Sequence, residues 1–237
     1  MIRRECCRFT YVESDAFLLF PYITDMSRSS GKVLISEDVL KQDFPLTYKY
    51  LLSCKARLLQ RDKGAQRQMR DSGGFYAYGR GQALGYATQK PKIFYSVNQR
   101  GDKYGLDNQG IAFQSGGTAG EVALFPRDSG YGLDFVLGLL AQPYIEMFLR
   151  KRGSPFRGGF FARGTDVITS VPVPALDFTD SNDRAFHDVI VAKVCNLREL
   201  TLSLSNSSQR QRDIIERKIK LEEAALQGVF LRRWGLS

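Results

Sequence analysis

The sequence predicts a mixed α+β fold in which strands and helices alternate up to about residue 175 and two long helices follow. Short apolar runs bounded by glycine, proline and polar turn residues indicate strands in the first part. After Pro174, apolar residues recur at helical spacing in two stretches, which the polar residues 205–208 separate. Two amphipathic helices joined by a short turn form an antiparallel hairpin. We therefore expect one domain over residues 1–175 and a helical hairpin over residues 176–237.

Within the first part, apolar runs predict strands at residues 16–23, 32–35, 90–97, 111–113 and 121–125. Helices are predicted over residues 36–44, 45–60 and from about residue 130 to 148. Ser36 is a favourable N-cap residue, and Pro45 suits the first position of the second helix. Pro143 interrupts the apolar stripe of the third helix, so we expect a kink there.

The net charge of +9 is concentrated in two windows of the 237-residue chain. Residues 55–103 contain eleven Lys or Arg and three Asp, and residues 150–164 contain five basic residues and no acid. The rest of the chain is slightly acidic. Solubility alone does not require such clustering, which therefore suggests a polyanionic partner.

The second basic window also contains three phenylalanines and four glycines. Glycine lets a backbone approach a partner closely, and the planar guanidinium of arginine matches phosphate oxygens and guanine edges. Phenylalanine can pack or stack on a ring. This combination favours nucleic-acid contact, and the structural alternative is a solvated basic loop.

The sequence shows no arrangement of residues that would form a complete catalytic site. His187 is the one histidine, and four cysteines stand at spacings that suit neither a zinc site nor a disulfide framework. Gly79, Gly81 and Gly85 do not form a dinucleotide-binding motif. We therefore expect no catalytic residue, metal or cofactor on this chain. No signal peptide or apolar run of membrane-spanning length is present, and we expect a cytoplasmic protein.

Several segments, in order and over nearly the whole chain, resemble the TaqI-like C-terminal specificity domain. That domain is the target-recognition part of adenine-N6 DNA methyltransferases and of type IIG restriction–modification enzymes. The segments are AFLLFPY at residues 16–22, FPLTYKYLLSCKARL at 44–58, FYAYGR at 75–80, KPKIFY at 90–95, RGGFF at 157–161, VPVP at 171–174 and WGLS at 234–237. The family has a methyltransferase upstream, which this sequence does not contain, and often has Trp where Phe75 stands.

The resemblance implies a non-catalytic module that recognises double-stranded DNA for a methyltransferase domain or subunit, which would bind S-adenosylmethionine. Residue types then suggest the contacts. Expected phosphate contacts are Lys151, Arg152, Arg157 and Arg163, and expected readers of base edges are Arg80, Gln99, Arg100, Lys103 and Gln114. Lys90 and Lys92 complete the predicted DNA-binding set.

Two alternatives remain open, a protein-docking subunit that acts through the helical hairpin and a nuclease with an unrecognised site. The chain could also be an excised domain, a separate subunit or part of a homo-oligomer.

Overall fold

The computed structural model describes residues 9–11, 17–25, 27, 31–61, 64, 66–67, 69, 73–78, 90–99, 104–112, 120–126 and 130–236. The chain forms two compact units. The smaller unit contains residues 16–89, and the larger unit contains residues 1–15 and 90–237. The α+β class and the C-terminal helical hairpin are both confirmed. Residues 90–175 and the hairpin belong to the same compact unit, while the functional division at residue 175 stays a prediction.

The described residues of the smaller unit include a two-stranded sheet, and three short helices follow it. Strand β1 (Tyr22–Thr24) pairs antiparallel with β2 (Lys32–Leu34). Helices α1 (Glu37–Asp43), α2 (Pro45–Ser53) and α3 (Lys55–Leu59) follow. The hydroxyl of Ser36 accepts a hydrogen bond from the Val39 N–H at 3.3 Å, which confirms the predicted N-cap. Pro45 is the first residue of α2, as predicted.

The core of the smaller unit is small and lies against one side of these helices. It consists of Ile35, Leu40, Leu51, Phe75 and Tyr76. The Tyr76 hydroxyl donates to the Ile35 carbonyl at 2.7 Å, so its polar end is satisfied within the core. The predicted strand over residues 16–23 is wrong at its start. The side chain of Phe17 is fully exposed, and the strand begins only at Tyr22.

The larger unit contains two three-stranded antiparallel sheets. Strands β3 (Lys92–Ser96), β5 (Gly105–Asp107) and β6 (Glu121–Leu124) form the first, with β3 in the centre. The second is formed by β4, β7 and β8, with β8 in the centre. Its strands are β4 (Asn98–Gln99), β7 (Ser154–Phe156) and β8 (Phe160–Ala162).

The described residues of the larger unit also form five helices. They are α4 (Leu133–Leu140), α5 (Pro143–Arg152), α6 (Thr165–Ile168), α7 (Ser181–Ser203) and α8 (Gln209–Arg233). Short 3₁₀ turns occupy Arg157–Gly159 and Leu204–Asn206. The predicted kink at Pro143 is a complete break, because proline cannot donate its backbone hydrogen bond and instead begins α5. No helix in the described ranges is long and apolar enough to cross a membrane.

Helix α4 lies at the centre of the larger core and packs against the helical hairpin. Its residues Phe135, Leu137, Leu139 and Leu140 are buried together with Ile190, Val194, Leu197, Leu226 and Phe230 of α7 and α8. Gly138 permits this close packing. A Cβ at that position would lie 2.9 Å from a methyl of Val194 and 3.0 Å from a methyl of Ile190.

We predict that Gly138→Val lowers the free energy of unfolding by roughly 1–3 kcal/mol, the usual cost of overpacking a tight core. Gly132→Val is the matched control, since a Cβ at Gly132 meets no atom within 4 Å. Urea denaturation of both variants tests this. Equal stability of the two variants would contradict the assigned packing of α4 on α7.

Candidate nucleic-acid interface

The end of α5 and the β7–β8 hairpin form one continuous basic segment. Three basic residues, Arg150, Lys151 and Arg152, occupy the last turn of α5, where the negative end of the helix dipole favours them. Gly153 ends the helix, and β7 begins directly after it. The predicted basic loop is therefore a helix end followed by a β-hairpin.

Glycines make this sharp connection possible. A Cβ at Gly153 would lie 2.7 Å from the Ala162 carbonyl oxygen, so a larger residue would separate the helix end from β8. At the tip of the hairpin, Gly158 and Gly159 have φ values of 71° and 76°, in the left-handed region that glycine adopts readily. Arg157 stands immediately before them and is exposed. The tip thus presents a cation on a tight turn with little side-chain bulk beside it.

Four cations of this segment are exposed to solvent: Arg150, Lys151, Arg152 and Arg157. We call them the α5–hairpin cations. Two are held against rings, since the Arg150 guanidinium lies 5.4 Å from the Phe161 ring centre and that of Arg152 lies 5.1 Å from Phe148. Phe156 is also more than half exposed. The surface therefore combines ordered positive charge with an accessible aromatic ring.

Glu146 joins this surface to the interior. Its Oε1 accepts hydrogen bonds from Arg150 Nε at 2.6 Å and from Arg163 Nη2 at 2.5 Å. Arg150 is 46% exposed, whereas Arg163 is fully buried at the end of β8. Burial raises the pKa of nearby Tyr95, Tyr104 adds to the rise, and the positive charge of Arg163 opposes it. Because its side chain is buried and paired with Glu146, Arg163 has a structural role. Its interpretation as a phosphate contact is revised accordingly.

Lys92 requires the same revision. It is fully buried and forms an ion pair with Asp107, its cross-strand partner in the β3–β5 register. The Asp107 carboxylate also accepts backbone hydrogen bonds from Gln109, Gly110 and Ile111 at 2.8–3.0 Å. The pair is thus surrounded by satisfied polar groups, as a buried charge requires. Its ammonium group is engaged inside the protein and is not presented to a partner.

The other predicted DNA-binding residues fall into three groups. Lys90, Lys151, Arg152 and Arg157 are exposed. Gln99 lies in β4, where its backbone pairs with Phe161 of β8, beside the hairpin. Arg80, Arg100, Lys103 and Gln114 lie outside the described residues. The structure thus brings Gln99 and the α5–hairpin cations onto neighbouring elements, whereas Lys90 precedes a strand of the other sheet.

Two residues of this surface were missing from the predicted set. The predicted set omits Arg150, although Arg150 begins the basic window, and it also omits Glu146. Their spacing of four residues is the signal that could have found them, because residues i and i+4 of a helix lie on the same face. Within the described residues, no group of three or more His, Cys, Asp or Glu could hold a metal ion.

Comparison with known proteins gives one informative match. No family model matches the chain. Over 218 residues, or 91% of its length, the chain is 32% identical to an Escherichia coli protein named type II restriction enzyme and methyltransferase RM.Eco57I. The match covers 22% of that protein, so the chain spans about a fifth of its relative's length. The chain is therefore related to part of a restriction–modification enzyme.

We predict that Glu146→Ala lowers the free energy of unfolding by roughly 3–5 kcal/mol, because it leaves the buried charge of Arg163 without a counterion. Arg150→Ala should cost less than about 1 kcal/mol, since it removes only the half-exposed partner of the same carboxylate. Urea denaturation at neutral pH compares the two variants. A loss for Glu146→Ala as small as that for Arg150→Ala would show that Arg163 is solvated or paired elsewhere.

Proposed function

We propose that this chain is a sequence-specific, double-stranded DNA recognition module of a restriction–modification adenine-N6 methyltransferase system, without catalytic activity of its own. The observation that carries the proposal is the surface formed by the α5–hairpin cations. No acidic residue occurs between Met147 and Thr165, and Glu146, which precedes them, is mostly buried. Four exposed cations without a neighbouring exposed acid in that segment suit a phosphate backbone, which dominates the affinity of proteins for DNA.

The match to the Escherichia coli protein supports a role as one part of a restriction–modification enzyme. The name of that protein describes both a restriction enzyme and a methyltransferase, and this chain spans about a fifth of its length. An enzyme that acts at defined DNA sites needs a part that selects the site. The ordered resemblance of the sequence to TaqI-like specificity domains supports the proposal that this chain makes that selection.

Phosphate binding and recognition of the base sequence would belong to different residues. The α5–hairpin cations would bind phosphates, which fix position and orientation without reading the sequence. Gln99, on the strand beside the hairpin, has an amide that can pair with adenine in the major groove. Arg80, Arg100, Lys103 and Gln114 stay predicted base readers on the basis of residue type. Lys90 stays a predicted DNA contact because it is exposed.

Methyl transfer would be carried out by a methyltransferase domain or subunit. An adenine within a duplex must leave the base stack before its exocyclic amine can be methylated. A recognition module contributes to this step by holding the flanking duplex in a fixed position. S-adenosylmethionine would bind to the methyltransferase and not to this chain.

A second candidate is a protein-docking role for the helical hairpin. Ile214 and Leu221 on α8 are exposed, and their spacing of seven residues places them on one face of the helix. Exposed apolar residues on one face suit a protein partner better than DNA. Capture of a methyltransferase by the wild-type chain, abolished by Leu221→Asp, would support this role, which is compatible with DNA recognition.

We predict that Arg157→Ala weakens binding to a preferred duplex and to a random-sequence duplex by about the same factor. It should also lower the slope of log affinity against log salt by about one, because one phosphate contact is lost. Fluorescence anisotropy at several salt concentrations, with the preferred duplex obtained by selection from a random pool, provides both quantities.

Arg210→Ala is the matched control, because Arg210 is exposed at the start of α8 and is not one of the α5–hairpin cations. Its affinity and salt slope should remain close to those of the wild type. If Arg157→Ala and Arg210→Ala behave alike, the α5–hairpin surface is not the phosphate-binding site.

A further inference from the structure

Helices α2 and α3 of the smaller unit form an almost continuous helical segment. They meet at Cys54, whose backbone N–H donates to the Tyr50 carbonyl at 3.2 Å and whose carbonyl accepts from the Leu58 N–H at 3.0 Å. The helical hydrogen-bond pattern therefore continues across the junction. Residues four apart consequently lie on the same side of the segment.

One side of this segment packs against the core of the smaller unit. Leu51 is buried, and Leu58 packs against the same cluster. On the opposite side, Lys49, Ser53 and Arg57 follow one another at four-residue spacing, and all three are exposed. We call that side the α2–α3 outer face.

The outer face is positively charged. From Phe44 to Arg61 the sequence contains four basic residues and no acid. Two of the four have partners within the protein. Arg61 donates hydrogen bonds to the Leu58 and Phe75 carbonyls, and the Lys55 ammonium lies 4.7 Å from the Phe75 ring centre. The other two, Lys49 and Arg57, form no ion pair with any described residue. Their charges are therefore available to an external anion.

The outer face also exposes apolar surface beside these charges. Leu46 is 82% exposed and Tyr50 is 58% exposed, and their spacing of four residues aligns them next to Lys49. Lysine is depleted in the core of protein–protein interfaces, whereas protein–DNA interfaces are strongly positive. The two free cations in a stretch without acid therefore favour DNA over a protein partner, and Leu46 and Tyr50 add apolar contact area beside them.

We infer that the α2–α3 outer face is a second duplex-DNA contact surface, on the smaller unit and built from different elements than the α5–hairpin surface. Lys49 and Arg57 bind phosphates, and Leu46 and Tyr50 lie against the sugars beside Lys49. The two cations are separated by about 12 Å along the helix at 1.5 Å per residue. This inference rests on the proposed function, because it assumes that the chain binds duplex DNA.

The test is the double variant Lys49→Ala/Arg57→Ala in the full chain, titrated with a random-sequence duplex at several salt concentrations. We expect the affinity to fall on the order of tenfold and the salt slope to fall by about two, one for each lost phosphate contact. The conservative variant Lys49→Arg/Arg57→Lys should restore both quantities. Tyr50→Ser should weaken binding without changing the slope, because it removes contact area and no charge.

Arg184→Ala/Arg210→Ala is the matched control, since it removes the same two charges from exposed positions of the larger unit. If Lys49→Ala/Arg57→Ala lowers affinity no more than this control while Arg157→Ala still lowers it, the inference is overturned and the proposed function stands. If the wild-type chain binds neither selected nor random duplex, the proposed function fails and the inference fails with it. Circular dichroism of each variant confirms that a loss of binding is not a loss of folding.

Discussion

The carboxylate of Glu146 determines how the basic segment of the larger unit is presented. It accepts from buried Arg163 at the end of β8 and from half-exposed Arg150 on its own helix. A charge as deeply buried as that of Arg163 is tolerated only beside a counterion. The ion pair therefore connects α5 to the β7–β8 hairpin, and the exposed cations on both elements keep a fixed relation to each other. An ordered set of cations loses less side-chain entropy on binding a partner than a flexible set does.

Net charge and available charge differ in this protein. Lys92 and Arg163 contribute to the basic windows of the sequence, yet each is buried in an ion pair with Asp107 or Glu146. The positive charge that remains for a partner lies on a helix end, a hairpin tip and the outer face of α2 and α3. Lys92 and Arg163 also lie in stretches without acid, at residues 72–101 and 147–165. Neither the count of basic residues nor the local absence of acid therefore reveals which charges are exposed.

Features determined by neighbouring residues were predictable from the sequence, and features determined by distant residues were not. The cap at Ser36 and the helix start at Pro45 follow from local chemistry and are confirmed. The pairing of Lys92 with Asp107 depends on the register of two strands, which residue types alone do not reveal. Local sequence was also insufficient at Phe17. Its apolar run predicted a buried strand, yet the side chain is exposed, and no neighbouring residue indicates that the core excludes it. The four-residue spacing could have suggested the pairing of Glu146 with Arg150, but its pairing with Arg163 depends on the packing of α5 against β8 and has no local signal.

One helical segment of each unit packs one side into the core of that unit and exposes basic residues elsewhere. In the smaller unit Leu51 and Leu58 lie inward while Lys49 and Arg57 are exposed. In the larger unit Ile145 and Leu149 of α5 are buried while Arg152 is exposed at its end. A hydrophobic core can be built with acidic, basic or neutral residues on the outside, so folding does not explain this choice. The proposed recognition of a polyanion would explain it, because phosphate contacts on two separate units would provide affinity and leave base-reading side chains free to determine specificity.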